Sequence, residues 1–205
     1  MDIQLNFINQ SNDQNNSDVV IFQKNVTTDF DEIAVAWQVI KNCGQGDNHP
    51  FVYPSASAVS CKDAWGNYTP KLAAEPGQLF AMVKTASGDE LELQGSASSP
   101  VELQVANDLP QGAIDAGVYK SGRLIAQKAG VAPQQKAVFQ FKPTLWIGVA
   151  SEVDEGEILN AAIISQIDTE LSLLGVASAD IVMTGGGVGI NSTPYKFSLQ
   201  NVVMA

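Results

Sequence analysis

The pattern that most constrains this chain is a succession of short apolar segments that alternate with polar residues and are cut apart by Gly, Asn, Ser and Pro. Alternation with a period of two puts one set of side chains on one face of an extended strand. Many short strands with turn residues between them pack as antiparallel sheets. Ile3, Leu5 and Phe7 follow the pattern, and a polar turn over residues 10–18 separates them from the apolar run 19–22 (VVIF). Residues 78–85 and 90–94 flank Ala86-Ser87-Gly88-Asp89, which reads as a hairpin with a four-residue loop. Residues 116–120 and 123–127 flank Ser121-Gly122, a second hairpin whose turn uses the permissive backbone of glycine. Val101, Leu103 and Val105 alternate, as do Val138 and Gln140 against Phe139 and Phe141, and then Tyr195, Phe197 and Leu199. Residues 145–149 (LWIGV) read as a more fully buried strand. The expected fold class is all-β: an antiparallel β-sandwich, or a barrel-like closure of one, with at most one or two short helices.

Two segments carry helical signals. Asp29-Phe30-Asp31-Glu32 has the form of a capping box ahead of residues 33–40 (IAVAWQVI), with Gly44 placed as a stop. The same eight residues also read as a buried strand. Over residues 158–174, Leu159, Ile163, Ile167, Leu171 and Leu174 fall at helical spacing and Gly175 follows as a terminator, so helix and strand both stay open there. No internal repeat and no linker stands out. Residues 1–205 are therefore read as a single β-sandwich domain.

The surface of such a fold is set by charge. The chain has 22 acidic and 11 basic residues, a net charge of -11, yet only 16% of its residues are charged. Soluble domains typically carry about 25%, so uncharged Asn, Gln, Ser and Thr must cover much of the surface. The acidic balance argues against nucleic acid, because phosphate recognition needs clustered Lys and Arg. The acidity is also regional: from Thr144 to Tyr195 there are seven carboxylates and no Lys or Arg. One face or end is expected to be negative, and the nearly neutral remainder is where contacts between subunits are expected.

The first residues alternate like a strand, with no basic region and no continuous apolar core, so no secretory signal is read there. No apolar stretch reaches the ~18 residues of a membrane span. The expected location is the cytoplasm, with a signal-less route of export as the alternative and no integral membrane association. Cys43 and Cys61 are expected to be reduced structural thiols. The N-x-S/T sequons at Asn15, Asn25, Asn67 and Asn191 read as a by-product of the polar composition.

Candidate chemistry is sparse. His49 is the only histidine, so multi-histidine zinc sites and two-histidine iron centres are ruled out. His49 could serve as the base for Cys43, six residues away, but its turn-rich loop Gly44-Gln45-Gly46-Asp47-Asn48-His49-Pro50 reads more simply as a place for local hydrogen bonds. The cluster Gly185-Gly186-Gly187-Val188-Gly189 lacks the following helix that a phosphate cradle requires, and reads as a flexible loop between strands. The run Glu152-x-Asp154-Glu155-x-Glu157 could gather oxygen ligands for Ca²⁺, but without the spacing of a calcium loop it reads as a solvated acidic loop. Trp37 and Trp146 sit in apolar runs and read as core. Trp65-Gly66-Asn67-Tyr68 is turn-like and holds the aromatics expected to be most exposed. No catalytic, cofactor-binding or metal-binding residue is assigned.

Residues 5–11 (LNFINQS), Ile21-Phe22-Gln23 and Val35-Ala36-Trp37, followed by residues 141–147 (FKPTLWI) and Gly156-Glu157-Ile158-Leu159, resemble landmarks of a group of small uncharacterised bacterial proteins. Some members of that group carry the label "aromatic ring-opening dioxygenase", and a chain with one histidine does not support it. The resemblance implies a compact, sandwich-like bacterial protein and transfers no catalytic residue.

The leading expectation is a non-enzymatic structural or interaction protein that self-associates into a homo-oligomer or filament. The alternative is a ligand-binding or membrane-acting β-sandwich, lectin-like or pore-forming, with carbohydrate as a candidate ligand at the Trp65 turn. An enzyme built on carboxylates or on His49 is the third class.

Overall fold

A computed structural model describes residues 2–27, 34–167 and 169–205. In chain order the strands are β1 (Ile3–Asn9), β2 (Asp18–Phe22), β3 (Gln38–Ile40) and β4 (Asn48–Tyr53), then β5 (Ser57–Lys62), β6 (Leu72–Ala74), β7 (Gln78–Lys84) and β8 (Asp89–Ser96). They continue with β9 (Leu103–Asn107), β10 (Ile114–Lys120), β11 (Arg123–Val131), β12 (Lys136–Phe139) and β13 (Thr144–Ala150). A short helix α1 (Ala161–Gln166) precedes β14 (Thr169–Ser172), β15 (Val176–Gly186) and β16 (Thr193–Met204), with a 3-10 turn over Gly189–Asn191. The fold is an all-β sandwich, and none of the four sheets formed by the described residues closes into a barrel.

The chain packs as two compact units of interleaved segments: Met1–Gln23, Val35–Ser55 and Pro143–Ala205 in unit 1, and Lys24–Ala34 and Ala56–Lys142 in unit 2. Each unit holds two four-stranded sheets. The chain leaves unit 1 and returns to it twice, so the division follows no linker that composition could reveal.

In unit 1 one sheet has the order β16-β15-β1-β4 and the other β14-β13-β2-β3. Ile3, Leu5, Phe7 and Asn9 of β1 are buried while the residues between them are more open, as the alternation predicts. β1 pairs with β15 in parallel, Leu5 opposite Ala179, so this sheet is mixed rather than purely antiparallel. Residues 19–22 are buried on both faces of β2. Trp37 is core, edge-on to Phe51 and Tyr53 at 6.2 and 5.7 Å. Trp146 is half-buried, stacked 6.5 Å from Phe22. β13 alternates, with Leu145 and Ile147 buried and Trp146 and Val149 half-open, where the sequence predicts a fully buried strand.

The two helical signals resolve differently. The capping box at residues 29–32 lies outside the described residues, and in the described part of 33–40 only Gln38–Ile40 forms a strand, β3, while Ala34 and Val35 make isolated bridges. Over 158–174 both periods are used in turn. Asn160 caps α1 by accepting from the Ile163 amide, the helix ends at Gln166, and β14 then carries Leu171 inward.

Unit 2 pairs β11-β10-β5-β6 in one sheet and β12-β9-β7-β8 in the other. Both predicted hairpins are present. β7 and β8 pair from Gln78–Ser96 to Lys84–Asp89, and β10 and β11 meet across Ser121-Gly122, both with positive φ (49° and 77°), as a two-residue primed turn requires. β9 returns beside β7 in parallel. Phe80, Met82, Val105, Ile114, Val118, Ile125 and Phe139 supply its core.

Candidate functional site

Among the described residues eight strands lie at sheet edges, and an edge presents unpaired N–H and C=O groups that invite another strand unless it is blunted. Seven of the eight are protected. β3, β6, β12 and β14 are only three or four residues long. β4 contains Pro50, and β8 carries Asp89, Glu90 and Glu92. β11 carries Arg123 and Lys128, and its register against β10 shifts twice. β16 is guarded less evenly: its register against β15 shifts near both ends, but from Lys196 to Gln200 the pairing runs without a shift. It runs for 12 residues with a proline only at its second position, a single charge at Lys196, and eight uncharged residues after that lysine.

One side of β16 pairs with β15, and no strand of the described residues pairs with the other. Tyr195, Phe197 and Leu199 turn half-buried toward the sandwich. The Tyr195 hydroxyl donates to Asp13 Oδ1 at 2.7 Å. Burial acts to raise the Asp13 carboxyl, but the amides of Asn15 and Ser17 and this hydroxyl together hold it below the ordinary value. Asn201 then takes a left-handed conformation (φ 49°) where the register shifts, and its Nδ2 donates to Asp180 Oδ2 at 2.6 Å. Beyond this bulge Val202, Val203 and Met204 are exposed, and Leu174, 73% exposed, lies just before β15, whose Val176 pairs with Met204. The result is an apolar end on an open edge.

Unit 2 carries the second candidate. Trp65 is 86% and Tyr68 68% exposed, as the sequence predicts for this turn. The turn is rigid. Asp63 Oδ1 accepts from the amides of Trp65 and Asn67, both at 2.8 Å, and Oδ2 accepts from Asn67 Nδ2 at 2.9 Å. The Asn67 side chain first, with the amides of Asn67, Trp65 and Gly66, holds the Asp63 carboxyl below its ordinary value. The Asp63 amide donates to Asn67 O, Lys62 pairs with Tyr68, and Thr69 clamps the base by donating its amide to Cys61 O and accepting the Cys61 amide on Oγ1. Trp65 borders a cleft of about 300 Å³ with Lys84, Asp89, Leu109, Pro110 and Gln111. Lys84 Nζ and Asp89 Oδ1 are paired at 2.7 Å.

The remaining sequence candidates have structural partners. His49 lies in edge strand β4 rather than in a loop, because Pro50, which has no N–H, is tolerated at a sheet edge. His49 Nε2 is 3.1 Å from Gln38 Nε2. Cys43 borders the same depression, but burial, then the Asp47 charge, pushes its thiol pKa up, away from thiolate. Cys61 is buried and pushed up to about 12, and both thiols are free. In the acidic run, Glu157 accepts from the Asp154 amide, Glu155 accepts from the Val39 amide, and Asp154 meets Lys41 at 2.6 Å. No group of three potential metal ligands gathers among the described residues. The glycine cluster closes the β15–β16 hairpin: a Cβ on Gly185 would lie 2.1 Å from Pro194 O.

Two residues that matter here were not singled out by sequence pattern. Asn201 makes the bulge that turns the end of β16 outward. Asn107, fully buried, donates to Gly112 O and Val131 O at 2.9 and 2.8 Å and accepts from the Leu109 amide at 3.1 Å, which shapes the loop that walls the Trp65 cleft. An asparagine ending an apolar strand before Asp-Leu-Pro was the only available signal.

No family model, curated protein or solved structure matches the chain. No helix of the described residues is long and apolar enough to cross a membrane.

Proposed function

We propose that this protein is a non-enzymatic building block that self-associates through β16. The observation that carries the reading is the contrast between edges: seven are short, proline-bearing or charged, whereas the longest, β16, confines its proline and its register shifts to its two ends, pairs regularly from Lys196 to Gln200 and carries eight successive uncharged residues after Lys196. Two copies of β16 running antiparallel would continue the sheet β16-β15-β1-β4 across a two-fold axis, a closed and self-complementary interface. Leu174, Val203 and Met204 would add apolar contact at its end. Filament growth would need a second, different edge. β16 is free of carboxylates although it belongs to the acidic unit, so the contact surface falls in a different place from the near-neutral remainder that the charge distribution alone points to.

The test is the variant Ser198→Lys/Val203→Lys, which places two charges at exposed positions of β16 without touching the core. The wild-type protein is expected to elute at a multiple of 21.7 kDa in size-exclusion chromatography with light scattering, and the variant at 21.7 kDa with an unchanged circular dichroism spectrum. A folded variant with the same oligomeric mass as wild type would overturn the proposal.

A further inference from the structure

We propose that the cleft beside Trp65 is a binding site for a neutral saccharide. Large aromatic side chains are normally buried, and an indole 86% exposed on a turn held by Asp63, Asn67 and Thr69 is an aromatic platform fixed before any ligand arrives. Ordering has already been met by the fold, since three N–H groups converge on one carboxylate to hold the turn.

The rest of the cleft selects the chemistry. Lys84 and Asp89 lie side by side at 2.7 Å, offering donors and acceptors with no net charge. Gln111 adds a neutral amide that both donates and accepts, while Leu109 and Pro110 supply apolar surface. A flat apolar face opposite neutral hydrogen-bonding groups suits a pyranose ring, which is apolar on one face and ringed by hydroxyls. An anionic ligand finds no unpaired cation, because Lys84 is matched by Asp89. The volume of about 300 Å³ is at the lower end of small-ligand pockets, the scale of a mono- or disaccharide rather than of a strand or helix. This site lies in unit 2 and β16 in unit 1, so it does not rest on self-association.

The experiment is an array of neutral, sialylated and sulfated glycans probed with wild type, Trp65→Phe, Trp65→Ala and Gln111→Ala. The best neutral glycan is then titrated in solution while tryptophan emission is followed. Trp37 is buried and Trp146 is half-buried against Phe22 in the other unit, so a ligand-induced shift toward shorter wavelength is assigned to Trp65 by its loss in Trp65→Phe. The expected result is retention of at least one neutral glycan, weakened about tenfold or more in Trp65→Ala, as for an aromatic anchor. Partial retention is expected in Trp65→Phe and loss in Gln111→Ala, all with wild-type circular dichroism. The titration is repeated with Ser198→Lys/Val203→Lys, where binding is expected unchanged. No retention of any neutral glycan, retention of charged glycans alone, equal binding by Trp65→Ala, or an emission shift that follows protein concentration rather than added sugar would each overturn the proposal.

Discussion

Three N–H groups converge on the Asp63 carboxylate, and what they hold in place is an exposed tryptophan. Because these contacts favour the ionised form, the folded pKa of Asp63 falls below its ordinary value of 3.8. Its contribution to the turn is therefore complete above 3.8 and is lost as pH falls through the lowered folded value. Trp65 emission should stay constant from about pH 8 to about pH 5 and change only in the acid range. Asp63→Asn should show the changed emission already at neutral pH. Gly185 is a second residue whose identity follows from geometry. A methyl group there would lie 2.1 Å from Pro194 O at a φ of +92°, so Gly185→Ala should cost roughly 3 kcal/mol in denaturant unfolding. An unchanged midpoint would contradict the close approach.

The strands and their turns show where sequence is informative. Period-two alternation is enforced by burial of one face, so Ile3, Leu5 and Phe7 revealed β1, and Ser121-Gly122 revealed a turn that few other residue pairs can make. Residues 158–174 were ambiguous for a physical reason: Leu159, Ile167 and Leu171 are all buried, but a short helix and a strand divide the segment, and the four-residue steps from Leu159 through Ile163 and Ile167 to Leu171 satisfy both periods, whereas Leu174 fits only the helical one. The parallel pairing of β1 with β15 joins residues more than 170 apart, and no local pattern encodes it. Loop geometry was likewise hidden, since it depends on Asn107 and its three hydrogen bonds. Asn107→Ala would leave two carbonyls and one amide without that partner. It should destabilise the protein by about 3 kcal/mol. Any retained saccharide should also bind more weakly, because Pro110 and Gln111 would lose their support.

At the scale of the whole molecule, the acidity is divided as the two units are. Unit 1 has eleven carboxylates against two cations, a net of -9, and unit 2 has eleven against nine, a net of -2. The charge imbalance was legible in the sequence, but its assignment to a unit was not, because the units interleave. The open edge β16 was legible only in part: Tyr195, Phe197 and Leu199 marked a strand, but edge position is a property of topology. Copies joined through β16 bring two units of -9 together, so their repulsion should be screened by salt. Self-association should strengthen as ionic strength rises from about 0.02 M to about 0.15 M, over which the screening length shortens to about 8 Å. Sedimentation velocity at the two salt concentrations measures this directly, and weaker association at the higher one would contradict it. The central claim, that β16 joins copies of this chain, is tested most directly by the mass of the native particle measured by light scattering across a wide concentration series. The account predicts a mass that rises from 21.7 kDa to a multiple of it. A constant 21.7 kDa up to the highest soluble concentration would contradict it.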